Sequence, residues 1–347
     1  VMKALYEQTG LPVLQNRVYA TVREAQACQL GDVRLVQDPA TGLVFNAAFR
    51  PELVIYDSNY HNEQSLSSAF VRHLEEVREI IARRLGRERL VEVGCGKGFF
   101  LEMLLAAGFD IVGFDAAYEG DNPRIQRRFF EPGMGMSGDG LILRHVLEHI
   151  ADPVAFLQNL KVANGGQGLI YIEVPCLDWI LENRAWFDIF YEHVNYFRLA
   201  DLNKMFGTVV ESGRLFGGQY LYVVADLATV QAPAFVPGDA VTVPENFAAS
   251  LATMDGAGGA IWGCASKGVI YALLRARAGH PVDLAIDINP AKQGRHMPVT
   301  GLRVHAPDEG LALLAPGSTI YIMNPNYADE IRAMSHHAYR YVEVGND

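Results

Sequence analysis

Two groupings of histidine with carboxylate, and one glycine turn, carry most of the chemistry legible in this chain. Glu192 and His193 stand side by side in the aromatic run WILENRAWFDIFYEHVNYF, flanked by Tyr191 and Tyr196. An imidazole with an unperturbed pKa near ~6.5 can accept a proton around neutrality. A neighbouring carboxylate can orient the ring and stabilise its charged form. The residues alone leave a second possibility open, a core histidine among aromatics with Glu192 on the surface. His145, Glu148 and His149 spell H-x-x-E-H, which on a helix can present two zinc ligands. That chemistry needs a third ligand and a long helix, yet Pro153 lies only four residues past His149. Zinc hydrolysis is set aside, and no metal ligand is assigned.

The glycines come in VEVGCGKGFF, where Gly94, Gly96 and Gly98 alternate between an apolar β-type run and a helical pattern, with Glu92 just ahead. Glycine lets the backbone turn sharply and approach a ligand closely. The helix N-terminus beyond suits a carboxylate as well as a phosphate. The next apolar run ends in Asp115, 21 residues after Gly94, where an acidic side chain can hold ribose hydroxyls. The dinucleotide fingerprint G-x-G-x-x-G is spaced differently, which counts against a nicotinamide site. A glycine turn in an unrelated α/β protein is the bland alternative.

The elements around these residues read as α/β. Phe70, Leu74, Val77, Ile80 and Ile81 recur at helical spacing, predicting an amphipathic helix over about 67–85. From LVEV onward, apolar runs (DIVGFD, DGLILRHV, GLIYIEVP) alternate with helical patterns, which predicts a parallel sheet covered on both faces. Residues 1–60 hold short β-like runs, RVYATV, VRLVQ and LVFNAAF, between turn signals. QAPAFVPGDAVTVPEN reads as a connection, and a second alternation follows through AIWGCASKG, PVDLAIDIN and STIYIMN. The expected units are 1–66, 67–230 and 240–347. With 347 residues and a net charge of −11, the chain has ample core material and repels phosphate backbones, so nucleic acid is not an expected partner. Four scattered cysteines form no CxxC pair, and no long apolar run or signal-type segment is present. The expectation is a cytoplasmic protein without membrane attachment.

The glycine turn with Asp115 resembles motif I of class I S-adenosylmethionine (SAM)-dependent methyltransferases. That resemblance implies SAM as cofactor, with Glu92, Gly94, Gly96 and Gly98 near its methionine part and Asp115 on its ribose. LRHVLEHIADP is similar to the segment after the fourth strand of such enzymes, which implies that His145 lines the cofactor site while Glu148 and His149 are structural. The implied fold class is α/β: a Rossmann-like class I methyltransferase core with a small N-terminal module and a second, smaller C-terminal α/β domain.

Three segments further resemble the sugar C-methyltransferase family, over nearly the whole chain. They are the Glu192-His193 pair, Gly263-x-x-x-Lys267-Gly268, and the run Asp287, Asn289, Pro290, Lys292, Gly294. The resemblance implies carbon methylation of a nucleotide-linked keto-deoxysugar, as in natural product biosynthesis. His193 would be the base, Glu192 its orienting partner, and Tyr60 or Tyr191 an oxyanion donor. Gly263, Lys267 and Gly268 would meet the substrate's phosphates. IYDSNYHNEQSLSSAF resembles the family's segment that closes over cofactor and substrate, which makes Tyr56, Tyr60 and Gln64 candidates. Tyr56 and Tyr196 would contact substrate and Gln64 the cofactor. Two departures stand out. Leu11, Leu14, Asp38 and Thr41 occupy the positions of the family's four zinc cysteines, and leucine cannot bind zinc. Phe190 stands where the family often has tyrosine. The rival reading is methylation of an oxygen or nitrogen on a sugar or small natural product. From other classes, a non-catalytic nucleotide-binding module or an NAD-dependent oxidoreductase remains, the latter disfavoured because GAIWGCASKG lacks G-x-G-x-x-G spacing.

Overall fold

The computed structural model describes residues 1–57, 59–61, 67–253 and 258–345. The first strands are β1 (Ala4–Pro12), β2 (Leu30–Gln37) and β3 (Val44–Asn46), paired antiparallel in that order. The strand β1 was not anticipated, because polar residues and Gly10 break its apolar alternation. RVYATV, expected as a strand, is not one. Arg17 and Tyr19 make single bridges to Tyr60 and His296, and Thr21 then caps a short helix, Val22–Gln26, by accepting from the Glu24 N–H at 3.1 Å. Leu11 and Leu14 are buried among apolar neighbours. Asp38 accepts from the N–H groups of Ala40 and Thr41, so this pair is spent on a turn of its own.

The expected helix runs Ser68–Arg84, capped by Ser67, with Leu74, Val77, Ile80 and Ile81 buried. Strands β4 (Leu90–Val93), β5 (Ile111–Phe114), β6 (Ile125–Gln126), β7 (Gly140–Arg144) and β8 (Leu169–Pro175) are parallel. The short strand β9 (Asn195–Tyr196) leaves this sheet and pairs with β3 instead. Next come β10 (Val209–Leu215) and β11 (Tyr220–Asp226), which complete the order β10-β11-β8-β7-β4-β5-β6. A wholly parallel sheet was expected, and that is corrected: β11 runs antiparallel to both β8 and β10. Only residues 216–219 join β10 to β11, and so short a turn can connect antiparallel strands alone.

The third sheet is wholly parallel, with β12 (Ala260–Trp262), β13 (Leu284–Ile286), β14 (Val304–His305), β15 (Thr319–Ile322) and β16 (Arg340–Glu343) ordered β14-β13-β12-β15-β16. Strand order reverses at β4 in one parallel sheet and at β12 in the other, and ligand crevices form outside the carboxyl ends of strands at such points. The two sheets are tied together. Gln219 and Asn324 exchange side-chain amide bonds of 2.8 and 3.1 Å, and Glu330 accepts from Ser67 and from the Ala69 N–H at the start of the helix Ser68–Arg84. Among the described residues, no helix is long and apolar enough to cross a membrane.

Behind β12, Gly268 lets the helix Ser266–Arg277 close on the turn: a Cβ there would lie 1.9 Å from the Gly263 carbonyl oxygen. Gly268→Ala is therefore expected to destabilise the chain by ~3 kcal/mol or more, at the upper end of overpacking costs, because backbone cannot step aside. Denaturant unfolding of the two proteins checks this, and coincident midpoints would refute it.

Candidate active site

Beyond β4 the backbone enters three left-handed glycines, Gly94, Gly96 and Gly98, with φ of 72°, 57° and 82°. A Cβ at Gly94 would sit 2.6 Å from Val146 Cγ2, whereas Gly96 faces open space. Asp115 follows β5 directly. Its two oxygens accept from the Gly96 and Ala117 N–H groups, both at 2.8 Å, which holds the glycine loop against the end of the next strand. Glu92 on β4 is buried and its Oε1 has no hydrogen-bond partner among the described residues. Burial pushes its carboxyl up to about 8; nearby Asp115 and Glu173 add to the rise and Arg144 opposes it.

Glu173 on β8 is the hub of the neighbouring charges. Its carboxylate accepts from Arg144 Nη2 (3.0 Å), His145 Nε2 (2.6 Å) and the Tyr171 hydroxyl (2.7 Å), and lies 3.3 Å from His73 Nε2. Burial would raise its pKa, but Arg144 and the two histidines hold it well below the usual carboxylate range. His145 itself has φ of 54°, a left-handed turn that brings the ring back onto Glu173. Burial works against its charge, yet Glu148 and Glu173 overcome that and push its pKa to about 9.

A cavity of about 210 Å³ lies at the carboxyl ends of β7, β8, β12 and β15. One wall carries His145, Glu148, His149, Phe190, Glu192 and His193, with Tyr60 beside them. The His193 ring lies 4.1 Å from Phe190 and 4.9 Å from His149 between centroids. Among the described residues no hydrogen bond engages the ring. Burial depresses its pKa well below the ordinary value, and His149, His145 and Lys267 add to this, so the imidazole is neutral and carries a lone pair.

The expected orientation of His193 by Glu192 is corrected. The Glu192 carboxylate accepts instead from the Gln15 N–H (2.8 Å), the Tyr60 hydroxyl (2.7 Å) and the Tyr56 hydroxyl (3.3 Å). Those donors come from the N-terminal part of the chain, and they engage both oxygens of the carboxylate that local sequence places beside His193. Tyr60 lines the cavity, but its one hydrogen goes to Glu192, so it offers only lone pairs to a ligand. Tyr191 is corrected as well: fully buried, it accepts from the Arg50 N–H and donates to the Arg50 carbonyl, away from the cavity. Tyr196 is also buried, and its hydroxyl bonds the Phe190 backbone (3.0 and 3.2 Å), because β9 turns it into the core. Gln64 lies outside the described residues. Tyr60→Phe is expected to cost about 1.5–3 kcal/mol, the range for a hydrogen bond to a charged group, read as a lower unfolding midpoint. An unchanged midpoint would sever Tyr60 from Glu192.

The opposite wall is the turn after β12 and the start of the helix Ser266–Arg277, with Gly263, Ser266, Lys267 and Gly268 facing the cavity. Lys267 Nζ stands 3.5 Å from Asp188 Oδ1, and burial raises the Asp188 pKa against that pairing. The Asp287–Gly294 run is scaffolding for this wall. Asp287 accepts from the Cys264 and Asn289 N–H groups, both at 2.8 Å, and Lys292 Nζ donates to the Cys264 carbonyl and to Asn16 Oδ1, both at 3.1 Å. Asn16 in turn donates to Ser266 Oγ at 3.2 Å. Asn16, Asp188, Tyr220, Trp262 and Tyr327 all line the cavity and were missed in the sequence. Asp188 had a local signal, a lone acid within an aromatic run. The others are brought in only by tertiary packing.

Residues 66–209 match the model of a methyltransferase domain. The matched region takes in β4 to β8 and the glycine loop. Over 164 residues (43% of this chain) the sequence is 27% identical to the C-methyltransferase NovU of Streptomyces niveus, and the chain spans only 39% of that relative's length. Among solved structures, the 1,6-didemethyltoxoflavin-N1-methyltransferase of Burkholderia thailandensis covers 55% of this chain with 96% of its own, at 16% identity and a TM-score of 0.35. A SAM-dependent methyltransferase from Archaeoglobus fulgidus covers 46% with 95% of its own, at 18% identity and a TM-score of 0.33.

The residues present fit the SAM that the sequence resemblance implies. The glycine loop leaves room at Gly96, Asp115 is fixed at the strand end where ribose hydroxyls are held, and the unpartnered Glu92 Oε1 offers a hydrogen-bond acceptor for an ammonium group, whose positive charge would favour the ionised carboxyl.

Proposed function

We propose that the chain is a SAM-dependent C-methyltransferase acting on a small phosphorylated keto compound, a nucleotide-linked keto-deoxysugar being the class that fits best. One observation carries this reading. A single cavity has a lone-pair-bearing imidazole on the methyltransferase side and, across from it, a lysine at a helix N-terminus of the second parallel sheet. The NovU similarity supports carbon as the acceptor.

Glu92, Gly94, Gly96, Asp115 and His145 would hold SAM, which when bound supplies an electrophilic methyl group. His193 removes the proton from the carbon next to the substrate carbonyl, and the electron pair left behind makes that carbon the nucleophile. Glu192 acts at one remove: it fixes Tyr60 at the cavity wall, and its backbone carbonyl holds His149 Nδ1 at 2.8 Å. Lys267 and the helix start attract the phosphates. Phe190, Trp262 and Tyr220 keep the reacting carbon away from water, which strengthens the electrostatic contacts around it.

The test has two parts. Calorimetry on the whole chain should detect uptake of SAM and S-adenosylhomocysteine. Nucleotide-linked keto sugars in deuterated water should then exchange the hydrogen beside their carbonyl without methyl donor. Failure to take up SAM would end the reading, and methylation of oxygen or nitrogen would end its carbon-specific part.

A further inference from the structure

We infer that Glu148, His149 and His193 form a binding site for one divalent transition-metal cation on the acceptor wall of the cavity. One ligand atom from each lies within 4.8 Å of the other two, and all three line the cavity. Two imidazoles and a carboxylate suit zinc or cobalt, whereas magnesium and calcium prefer all-oxygen sites. Two independent features point to a cation. The Glu148 side chain is 1% exposed, and neither carboxylate oxygen has a hydrogen-bond partner among the described residues. Its nearest basic neighbours, His145 Nδ1 at 3.5 Å and His149 Nε2 at 3.8 Å, stop short of bonding geometry. A buried carboxylate without donors is costly, and a cation removes that cost. Second, His149 Nδ1 contacts the Glu192 carbonyl at 2.8 Å. A carbonyl only accepts, so Nδ1 carries a proton and Nε2 is the nitrogen left to meet a cation beside Glu148. Backbone support of this kind is the usual outer shell of a metal-bound imidazole.

The set is not the one that H-x-x-E-H spacing suggests. Leu147–His149 is a single 3-10 turn, and His145 is drawn off to Glu173. His193, from the segment after β8, takes the third place. A neutral imidazole has one lone pair. Metal occupancy and proton acceptance at His193 therefore exclude each other, and the cation is an inhibitor of methyl transfer. That consequence rests on the function proposed above, whereas the binding itself does not.

The full chain, stripped with a chelator, would be titrated with Co²⁺ and followed by visible absorption, with Zn²⁺ then displacing the cobalt. One equivalent per chain is expected. Binding should weaken at least ~10-fold in His193→Asn and in Glu148→Gln, and stay unchanged in His336→Asn, a histidine on the surface. Thermal melts followed by circular dichroism check folding. If buried Glu148→Gln fails to fold, His193→Asn carries the test. Turnover, assayed separately, should fall as the site fills. No cobalt absorption, or unchanged affinity in His193→Asn, overturns the site, and turnover that rises with metal overturns the inhibition. Should SAM uptake fail while cobalt binds with the stated residue dependence, the site stands and the methyl-transfer reading falls.

Discussion

His193→Asn should slow methyl transfer roughly 100- to 10,000-fold, the usual contribution of a positioned general base, while SAM binds within about twofold of the parent. Asparagine keeps a polar group of similar reach but cannot take a proton near neutrality. The donor side should not notice the change, because the His193 ring contacts Phe190, His149 and Tyr196 and no member of the glycine loop. Turnover and donor affinity measured on one preparation therefore separate proton removal from general damage. Parent-like turnover would withdraw the base role, and parallel loss of both quantities would mark His193 as structural.

The largest effect on stability is expected at Glu173. Its carboxylate is fully buried and serves Arg144, His145, Tyr171 and His73. Breaking a buried ion pair from one side costs about 3–5 kcal/mol because the other charge is left uncompensated. Glu173→Gln should lose an amount of that order, with Arg144 the stranded partner. The sign of the pH dependence follows from the two shifts. The Glu173 pKa is depressed on folding, so its contribution is complete above the unfolded value near ~4.3 and disappears as pH falls through the folded value below it. The His145 pKa is raised to about 9, so its contribution is complete below ~6.5 and disappears as pH rises through about 9. Parent stability should therefore decline on both sides of a neutral plateau. The variant should show a weaker acid limb and an alkaline limb starting at lower pH, because His145 loses its closest acceptor. Denaturant midpoints across pH check this, and superimposable curves would refute it.

The parts of the site that local sequence revealed are those built by neighbours in the chain. The turn Gly94-Gly96-Gly98 and Asp115 could be found because a strand, a tight turn, a helix and an acid must follow in that order. The helix over Ser68–Arg84 was legible because its buried face repeats every three to four residues. What sequence could not supply was the partner of a side chain when that partner arrives from far away. Glu192 looked free to serve His193, but Tyr60 and Gln15, more than 130 residues earlier, claim it. Tyr191 and Tyr196 looked like part of an aromatic site, yet each spends its hydroxyl on backbone inside the core. Asn16 carried no local signal at all. Its side chain is held at the cavity wall by Lys292 and Ser266.

The ladder between β3 and β9 begins two residues beyond His193, with Phe45 opposite Asn195 and Val44 opposite Tyr196, and the Val194 N–H is held by the Glu148 carbonyl at 2.7 Å. Strand β3 thus braces the segment that carries His193, the base of the proposed reaction. Under that proposal, a chain lacking residues 1–60 should take up donor while its turnover falls, which calorimetry and a turnover assay on one preparation would show.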